Sequence, residues 1–490
     1  MMSNANRLHK AAILFNFVKI FREVFLGAIL GFLATFKNIN LGGFWFEILY
    51  ASLFILFILL FSVIQWFRFT YTVEHDHLRI DSGIFVKKKR TISFNRIQSI
   101  DVSEGIVHRI FQLAKVEVQT AGGDLGAKAE AVLSAVTRDK AFELRESLQL
   151  KTDNQEQEEE AEKEVLTKNS KTISTRRLLL AATTTNGFGV FFSFAALILP
   201  QFGQVLPDRI YENVFDWVIH LSIPFLILLA GVTGILLWGT AALGSLLKYS
   251  SFTIQKSEDD LQISHGLLEK KQLTLATKRI QAISVREDLL RQWIGYVTIH
   301  AEVVGGSMGA NGGTSVLLFP LLKKAEVASF VEQFVPDYQP EFVNQTLPKR
   351  SRRRFLFRMI APVIIGSIPT FYFFPSYSWI GIVLLLLAFL LGLFQYKDSG
   401  FNIAGDKLTL RYRVIGKNTV ILYRKRIQSL TTSDHYLQQR QSLKTLKCSV
   451  AAVSGIGKTF SYKDGDEKQV AEVFDWYSFQ RKEKEAEAKL

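Results

Sequence analysis

The chain has 490 residues, of which 48% are hydrophobic, and it carries a formal net charge of +14. The hydrophobic share suits a protein with part of its mass in a bilayer, and the excess of cations calls for an acidic partner such as an anionic membrane or nucleic acid. A single cysteine, Cys448, excludes an internal disulfide framework, and no HExxH or CxxC spacing indicates a metal or other cofactor.

The chain begins with two apolar segments, within 14–66, that predict a pair of membrane-spanning helices. The second is free of charge over 50–64, whereas Lys19, Arg22 and Glu23 interrupt the first. A spanning helix needs about twenty mostly apolar residues, so the second segment is predicted to span. The first is either a span whose basic residues reach the headgroups or an interfacial amphipathic helix, and we adopt the span.

Residues 68–150 predict a β-rich domain. Apolar and polar residues alternate in several short segments, Ser82-Gly83 marks a turn between two of them, and an amphipathic helix pattern occupies 138–150. Many short strands followed by one helix are typical of a small barrel or sandwich with a helical cap.

A five-residue motif in this domain occurs three times. Arg96-Ile97-Gln98-Ser99-Ile100 returns as Arg279-Ile280-Gln281-Ala282-Ile283 and as Arg426-Ile427-Gln428-Ser429-Leu430. The offsets of 183 (279 − 96) and 147 (426 − 279) also align apolar positions on both sides of the motif. A common register over roughly forty residues indicates one module in three copies.

Each copy of the module follows a pair of apolar segments, so the repeating unit is two spans and one domain. The predicted parts are the span pairs 14–66, 178–243 and 355–395, the domains 68–150, 248–335 and 396–480, the linkers 151–177 and 336–354, and a charged tail at 481–490.

Basic residues near the span ends predict the orientation in the membrane. An even number of spans in each unit places all three domains on one side. Lysines and arginines cluster ahead of each pair, most strongly in 349–354, while the opposite loops hold only Lys37 and Arg209. Because such clusters stay on the cytoplasmic side, we predict a multi-pass protein of the cell membrane with both termini and all three domains in the cytoplasm.

The order of a Ser-Gly turn, a long strand, Arg-Ile-Gln-Ser-Ile, a short helix, a Val-x-Val strand and Ala-Gly-Gly resembles the bacterial pleckstrin-homology-like domain. The alternation of spans and domains is similar, over nearly the full length, to the YdbT-type membrane proteins of Gram-positive bacteria. This resemblance implies a polytopic α-helical membrane protein with three β-rich domains, each a small seven-stranded barrel capped by a C-terminal helix. It also implies a smaller, single-domain relative as a candidate partner.

The third copy departs from the pattern at its glycines. Arg413 stands where Gly83 and Gly266 stand, and Ala452-Val453 replaces a pair of glycines. Those glycines serve a turn or a close backbone approach, so we expect the third domain to keep its fold with altered loops.

Two sets of basic residues are candidate contacts for lipid headgroups or a partner. Arg96, Arg279 and Arg426 are either phosphate ligands, since arginine offers two parallel donors, or structural residues held by a nearby carboxylate or carbonyl. The second set forms a basic cluster on one strand: Lys87, Lys88, Lys89 and Arg90. This cluster either attracts an anionic leaflet or protects an edge strand from aggregation, and both are compatible. The run 349–354 is a topology signal or a headgroup site.

The hypothesis from these observations is a non-enzymatic scaffold of the anionic inner leaflet, acting in envelope stress or antimicrobial resistance with a protein partner, as a candidate oligomer. The alternative is a component of a transport or export system, although the spans lack the paired broken helices of transporters. No residue constellation supports an enzyme or a cofactor, and membrane topology accounts for the basic residues without nucleic acid.

Overall fold

A computed structural model describes residues 6–36, 44–73, 77–94, 97–120, 131–149, 170–184, 223–257, 260–304, 315–340, 343–373, 375, 378–451 and 457–487. Within these ranges the chain forms three units with the same order of elements. Each unit has a short strand, two helices, four strands, a short helix, two strands and a final helix. The threefold repeat predicted from the motif is therefore confirmed.

The elements of the first unit are β1 (Asn6–Arg7), α1 (Ala12–Phe36), α2 (Phe44–Arg68), β2 (Thr70–Val73), β3 (His77–Ser82), β4 (Lys88–Ser93), β5 (Ile97–Glu104), α3 (Ile106–Ile110), β6 (Leu113–Thr120), β7 (Ala131–Thr137) and α4 (Arg138–Gln149).

The elements of the second unit are β8 (Ser170–Thr172), α5 (Thr175–Thr183), α6 (Ile223–Tyr249), β9 (Thr253–Ser257), β10 (Asp260–His265), β11 (Lys270–Ala276), β12 (Ile280–Glu287), α7 (Leu289–Ile294), β13 (Tyr296–Val303), β14 (Ser315–Lys323) and α8 (Val327–Phe334).

The elements of the third unit are β15 (Gln345–Thr346), α9 (Arg352–Phe373), α10 (Ser378–Asp398), β16 (Gly400–Ala404), β17 (Lys407–Arg413), β18 (Lys417–Tyr423), β19 (Ile427–Ser433), α11 (Tyr436–Gln439), β20 (Leu443–Val450), β21 (Lys458–Asp466) and α12 (Glu467–Glu487).

The seven strands of each unit divide into an antiparallel group of four and an antiparallel group of three. The last three strands of the first unit join the first four of the second in one sheet, because β5 pairs with β11. The second and third units are joined in the same way by β12 and β18. The described strands therefore form four sheets of four, seven, seven and three strands, two of which cross from one unit to the next.

The prediction of closed seven-stranded barrels is not confirmed. Seven strands and a final helix are present in each unit, but no ladder among the described strands joins the fourth strand of a unit to its fifth. The backbone donors and acceptors of these edges must be satisfied. At both internal junctions they are satisfied by the neighbouring unit, so the sheets continue along the chain instead of closing.

The short strand ahead of each helix pair belongs to the domain that follows the pair. β1 pairs with β2, β8 with β9 and β15 with β16. The predicted linkers 151–177 and 336–354 thus each contain a sheet strand, β8 and β15. Since the chain leaves the sheet, forms the helices and re-enters beside its exit, each helix pair is attached to its domain at two neighbouring points.

Two helices in the described part are long and apolar enough to cross a membrane, Gly231–Tyr249 within α6 and Ser378–Asp398, which is α10. A shorter apolar stretch covers Ser52–Arg68 in α2. Most of the predicted span that starts at residue 178 lies outside the described residues, so the count of six spans stays a prediction.

Each unit has its own apolar core, and neighbouring units share residues between their cores. Ile421 of the third unit lies in the core of the second, and Ala282 of the second lies in the core of the third. Both side chains are fully buried. The junctions are therefore continuous with the domain interiors.

Cys448 on β20 is fully buried in the core of the third unit. Burial raises the pKa of its thiol to about 12, since an apolar surrounding disfavours the thiolate. We expect the native protein to resist alkylation by N-ethylmaleimide at pH 8 and to react fully after denaturation, as measured by intact mass. Rapid labelling of the native protein would contradict this burial.

Candidate functional site

The turn between the third and fourth strands of each domain presents exposed apolar side chains. The exposed residues at these three hairpin tips are Phe85, Val86, Leu267, Leu268, Val414 and Ile415. Phe85 is the most exposed, at 92%. Equivalent positions in all three units therefore keep large apolar side chains in the open, although folding normally buries such groups.

Two of the tips depend on a glycine. Gly83 and Gly266 have φ angles of 105° and 107°, and a Cβ atom at either would lie 2.0 Å from a carbonyl oxygen across the turn. The predicted turn role of these glycines is confirmed. In the third unit Arg413 continues the strand and pairs with Lys417, which leaves a shorter tip over 414–416. The expected change of this loop is thus present, and the hairpin is retained.

The tips lie beside the ends of the apolar helices. The backbone N–H of Leu267 donates to the carbonyl of Leu247 in α6 at 2.9 Å. In the third unit Gln395 of α10 donates to the carbonyl of Val414 at 2.8 Å. The second and third tips are therefore held at the level where α6 and α10 enter the domains.

His265 supports the same contact in the second unit. Its Nδ1 lies 2.9 Å from the carbonyl of Lys248 at the end of α6, and its ring stacks on Phe252. A carbonyl only accepts, so Nδ1 carries the proton. Burial lowers the pKa of His265, which keeps the ring neutral at pH 7.

The short helix between the fifth and sixth strands adds a second group of exposed apolar residues. These are Ile106, Val107, Ile110 and Phe111 in and beside α3, Leu289, Leu290, Trp293 and Ile294 in α7, and Tyr436 and Leu437 in α11. Trp293 is 92% exposed. Tryptophan combines a large apolar ring with one N–H donor, and it is enriched where proteins meet the membrane interface.

The short helices and the tips form one surface. Arg109 of α3 donates to the carbonyl of Leu267 at 3.0 Å, and Arg413 donates to Gln292 of α7 at 2.7 Å. Each short helix also contacts its own helix pair, as in the stacking of His108 on Phe15 at 3.8 Å. We call the tips and short helices together the apolar surface.

The structure separates the predicted basic residues into two groups. Lys87 lies at the first tip, and Lys88, Lys89 and Arg90 lie on β4, where their side chains are exposed. Arg279, in contrast, lies at the junction of the first two units, where its Nη2 donates to the carbonyl of Ile97 at 3.1 Å.

Arg426 lies at the next junction, beside Tyr338. The hydroxyl of Tyr338 donates to the carbonyl of Ile280 at 2.7 Å, and burial raises the pKa of Tyr338 to about 12 against the opposing effect of Arg426. Arg279 and Arg426 thus lie at junctions between units, as expected for arginines with a structural role. Phosphate binding by them stays a prediction. Arg96 lies outside the described residues.

Ion pairs between a helix pair and its domain are the feature that sequence reasoning missed. Asp464 of β21 is fully buried and accepts from Nε of Arg354 at 2.9 Å, from Arg358, and from Nε2 of Gln438 at 2.7 Å. In the second unit Arg177 of α5 donates two bonds to Glu326, at 2.9 and 2.7 Å.

The basic run 349–354 therefore has a structural use in addition to its predicted role in membrane topology. Arg350 pairs with Asp466, and Arg350 also lines a pocket with Lys349, Arg353 and Arg440. Asp464 and Asp466 lie on β21, more than a hundred residues along the chain from their arginine partners, so no local sequence pattern reveals the pairs.

Within the described ranges, no group of three or more histidine, cysteine, aspartate or glutamate side chains is arranged to hold a metal ion. The prominent features of this part of the chain are the apolar surface, the basic strand β4 and the ion pairs at the helix ends. They are suited to contacts with a surface.

Comparison with known proteins agrees with the repeat. The family model for the bacterial pleckstrin homology (PH) domain matches residues 26–152, 194–335 and 356–481. The chain is 32% identical over 493 aligned residues to the UPF0699 transmembrane protein YdbT of Bacillus subtilis (strain 168), covering 98% of this chain and 99% of that protein. No solved structure matches. The chain therefore belongs to the bacterial PH domain family, as a three-domain relative of this transmembrane protein.

Proposed function

We propose that the protein is a non-enzymatic membrane scaffold whose three PH-like domains lie against the lipid headgroups on the cytoplasmic side. The apolar surface carries this proposal. It repeats in three units, it remains exposed, and it lies beside the ends of α6 and α10. If those helices cross the bilayer, the exposed side chains lie at the headgroup level, where aromatic and aliphatic groups gain by leaving water.

Basic residues at the same level support the inner leaflet as the surface. Lys87 lies at the first tip, next to the exposed Phe85 and Val86, and the strand continues with further cations. Each cation near an anionic leaflet contributes about 1 kcal/mol. The lysines and arginines ahead of each helix pair favour the cytoplasmic side by the same rule that predicted the topology.

A test uses the two ends of one hairpin. Ile415 is at the tip, whereas Asp406 is exposed at the turn that joins β16 and β17, at the other end of β17. The seven residues of β17 span roughly 23 Å. Ile415→Cys and Asp406→Cys, each in a Cys448→Ala background, would be labelled with an environment-sensitive dye in liposomes containing spin-labelled lipids.

We expect the dye at position 415 to have blue-shifted emission and several-fold stronger quenching by the spin-labelled lipids than the dye at position 406. Trp293→Cys should behave like the tip. Equal and weak quenching at all three positions would contradict the membrane contact. It would indicate that the apolar surface binds a protein instead.

The proposal extends to a protein partner. The candidate is a smaller relative with a single PH-like domain, and the physiological setting we propose is defence against envelope stress or antimicrobial compounds. Affinity purification of the full-length protein from its native membrane, followed by mass spectrometry, tests this part separately. Recovery of no such relative under mild detergent would contradict the partnership without affecting the lipid contact.

A further inference from the structure

Among the strands that lie at the ends of the described sheets, two stand at the fourth and fifth positions of their units, β4 and β19. In the first unit β4 pairs with β3 alone, and in the third unit β19 pairs with β20 alone. Lys88, Lys89, Arg90 and Thr91 are exposed on β4, and most side chains of β19 are exposed as well. A row of backbone donors and acceptors on such an edge is a template for another strand.

The equivalents of these two strands in other units are the ones that join the units inside the chain. The fifth strand of one unit pairs with the fourth strand of the next, as β5 with β11 and β12 with β18. Among the described strands, none pairs with the outer edge of β4 in the first unit or with that of β19 in the third. β4 and β19 are therefore the complementary halves of a junction that occurs twice among the described strands.

The charges at the ends of these ladders match. Lys270 lies opposite Glu104 at the first junction, and Lys417 lies opposite Glu287 at the second, where Nζ and Oε1 are 3.6 Å apart. The repeat offsets of 183 and 147 place Lys87 at the equivalent position directly before β4 (270 − 183) and Asp434 directly after β19 (287 + 147). The position beside β4 thus carries a lysine, as at both junctions. The position beside β19 carries an aspartate, which has the same negative charge as the glutamates at the junctions.

Residues of β19 are more exposed than their equivalents on β12, as expected for a strand that lacks the neighbouring strand of a junction. On β12, Gln281, Ser284 and Glu287 are less than 9% exposed because β18 covers that edge. The equivalent residues of the third unit, Gln428, Thr431 and Asp434, are exposed. The same strand that is buried in the second unit is therefore open in the third.

Lysines on the fourth strand do not prevent this kind of pairing. Lys270 and Lys271 lie on β11, and both positions pair with β5. The cations of β4 therefore protect the edge against unspecific partners while they still permit a fifth strand with an acid at its end.

We propose that β19 of one copy pairs antiparallel with β4 of a second copy, in the register Asp434 opposite Lys87, Thr432 opposite Lys89 and Thr431 opposite Arg90. The contact joins two different surfaces, so repeated addition gives a ring or a chain of copies. All copies in one membrane share one orientation, which a ring about an axis normal to the membrane satisfies.

Cysteine crosslinking of the full-length protein in proteoliposomes tests the register. In a Cys448→Ala background, the in-register pairs are Lys89→Cys with Thr432→Cys and Arg90→Cys with Thr431→Cys. The control is Lys89→Cys with Ser429→Cys, which is displaced by three residues, or roughly 10 Å. A disulfide requires Cα atoms within about 7 Å, so we expect roughly tenfold more intermolecular product from an in-register pair than from the control.

The single-cysteine variants identify the symmetry of the contact. Head-to-tail pairing predicts no product from Lys89→Cys alone or Thr432→Cys alone, and a ladder of multimers from the double variant. Dimers from a single variant would show that like edges meet, and equal product from the control would show random collision. Either result overturns the proposal, as does a monomeric protein at every lipid-to-protein ratio tested.

A charge exchange provides a second measurement. Self-association, measured by energy transfer between donor- and acceptor-labelled copies in proteoliposomes, should weaken about fivefold or more in Lys87→Glu and in Asp434→Lys. An exposed pair contributes up to about 1 kcal/mol, and each substitution also places two like charges opposite each other. Mixing the two variants should restore association, because each contact between unlike copies again joins opposite charges. Failure of the mixture to recover would contradict the pairing of these two residues.

Discussion

Replacing Asp464 by asparagine should destabilise the third unit by about 3 kcal/mol, because it leaves the charges of two arginines without a buried counterion. Arg354 and Arg358 approach the carboxylate from α9, and the carboxylate itself is inaccessible to solvent. Asp464 has a φ of 55°, a left-handed conformation that asparagine also adopts. The substitution therefore isolates the loss of charge from any strain in the backbone.

Hydrogen exchange followed by mass spectrometry measures this effect within the full-length protein. Peptides from β20 and β21 should lose protection in Asp464→Asn, while those from β13 and β14 of the second unit serve as an internal reference. Asp475→Asn on the exposed side of α12 is the matched control and should change stability by less than about 0.5 kcal/mol. Unchanged exchange in β20 and β21 would show that the ion pairs do not anchor α9 to its domain.

The substitution Ile421→Ala should destabilise two units at once. Ile421 belongs to β18 of the third unit, lies opposite Ile283 and is fully buried in the core of the second unit. Truncation of a buried isoleucine removes apolar contacts and leaves a cavity, which costs about 2–5 kcal/mol. Because the cavity opens at the junction, the loss should extend to both partners of the ladder.

The measurement is again hydrogen exchange, now in peptides that cover β12 and β18. Both should exchange faster in Ile421→Ala, whereas Ile415→Ala at the exposed tip of the same hairpin should leave them unchanged. Faster exchange confined to β18 would contradict a shared core. It would indicate that the units are independent domains connected only by the chain.

The recurrence of Arg-Ile-Gln-Ser-Ile was sufficient to place the three modules and their strands. Alternation of apolar and polar residues marks strands because successive side chains point to opposite faces. Glycine marks the tips of β3–β4 and β10–β11 because the turn needs a positive φ. These are local properties of a few consecutive residues, and the structure agrees with them.

Whether each domain closes into a barrel could not be predicted from these local patterns. Alternation reports the two faces of a strand, but the neighbour at each edge is chosen by backbone hydrogen bonds that carry no sequence pattern. The resemblance implied a closed barrel, whereas β5 and β12 pair with the next unit instead. The matched pair of Lys270 and Glu104 becomes informative only once the register is known.

For the basic residues too, the sequence determines some properties and the tertiary structure determines others. The sequence by itself determined where positive charge accumulates, and hence the predicted orientation, because that inference needs only counts near the span ends. Only the tertiary structure decided what individual cations contact: Arg354 reaches Asp464, which is 110 residues away along the chain, and Arg279 reaches Ile97 across a junction. The physical reason is that the repeat is encoded by residues close together in the sequence. The pairing of strand edges and the ion pairs, in contrast, involve residues that meet only after folding.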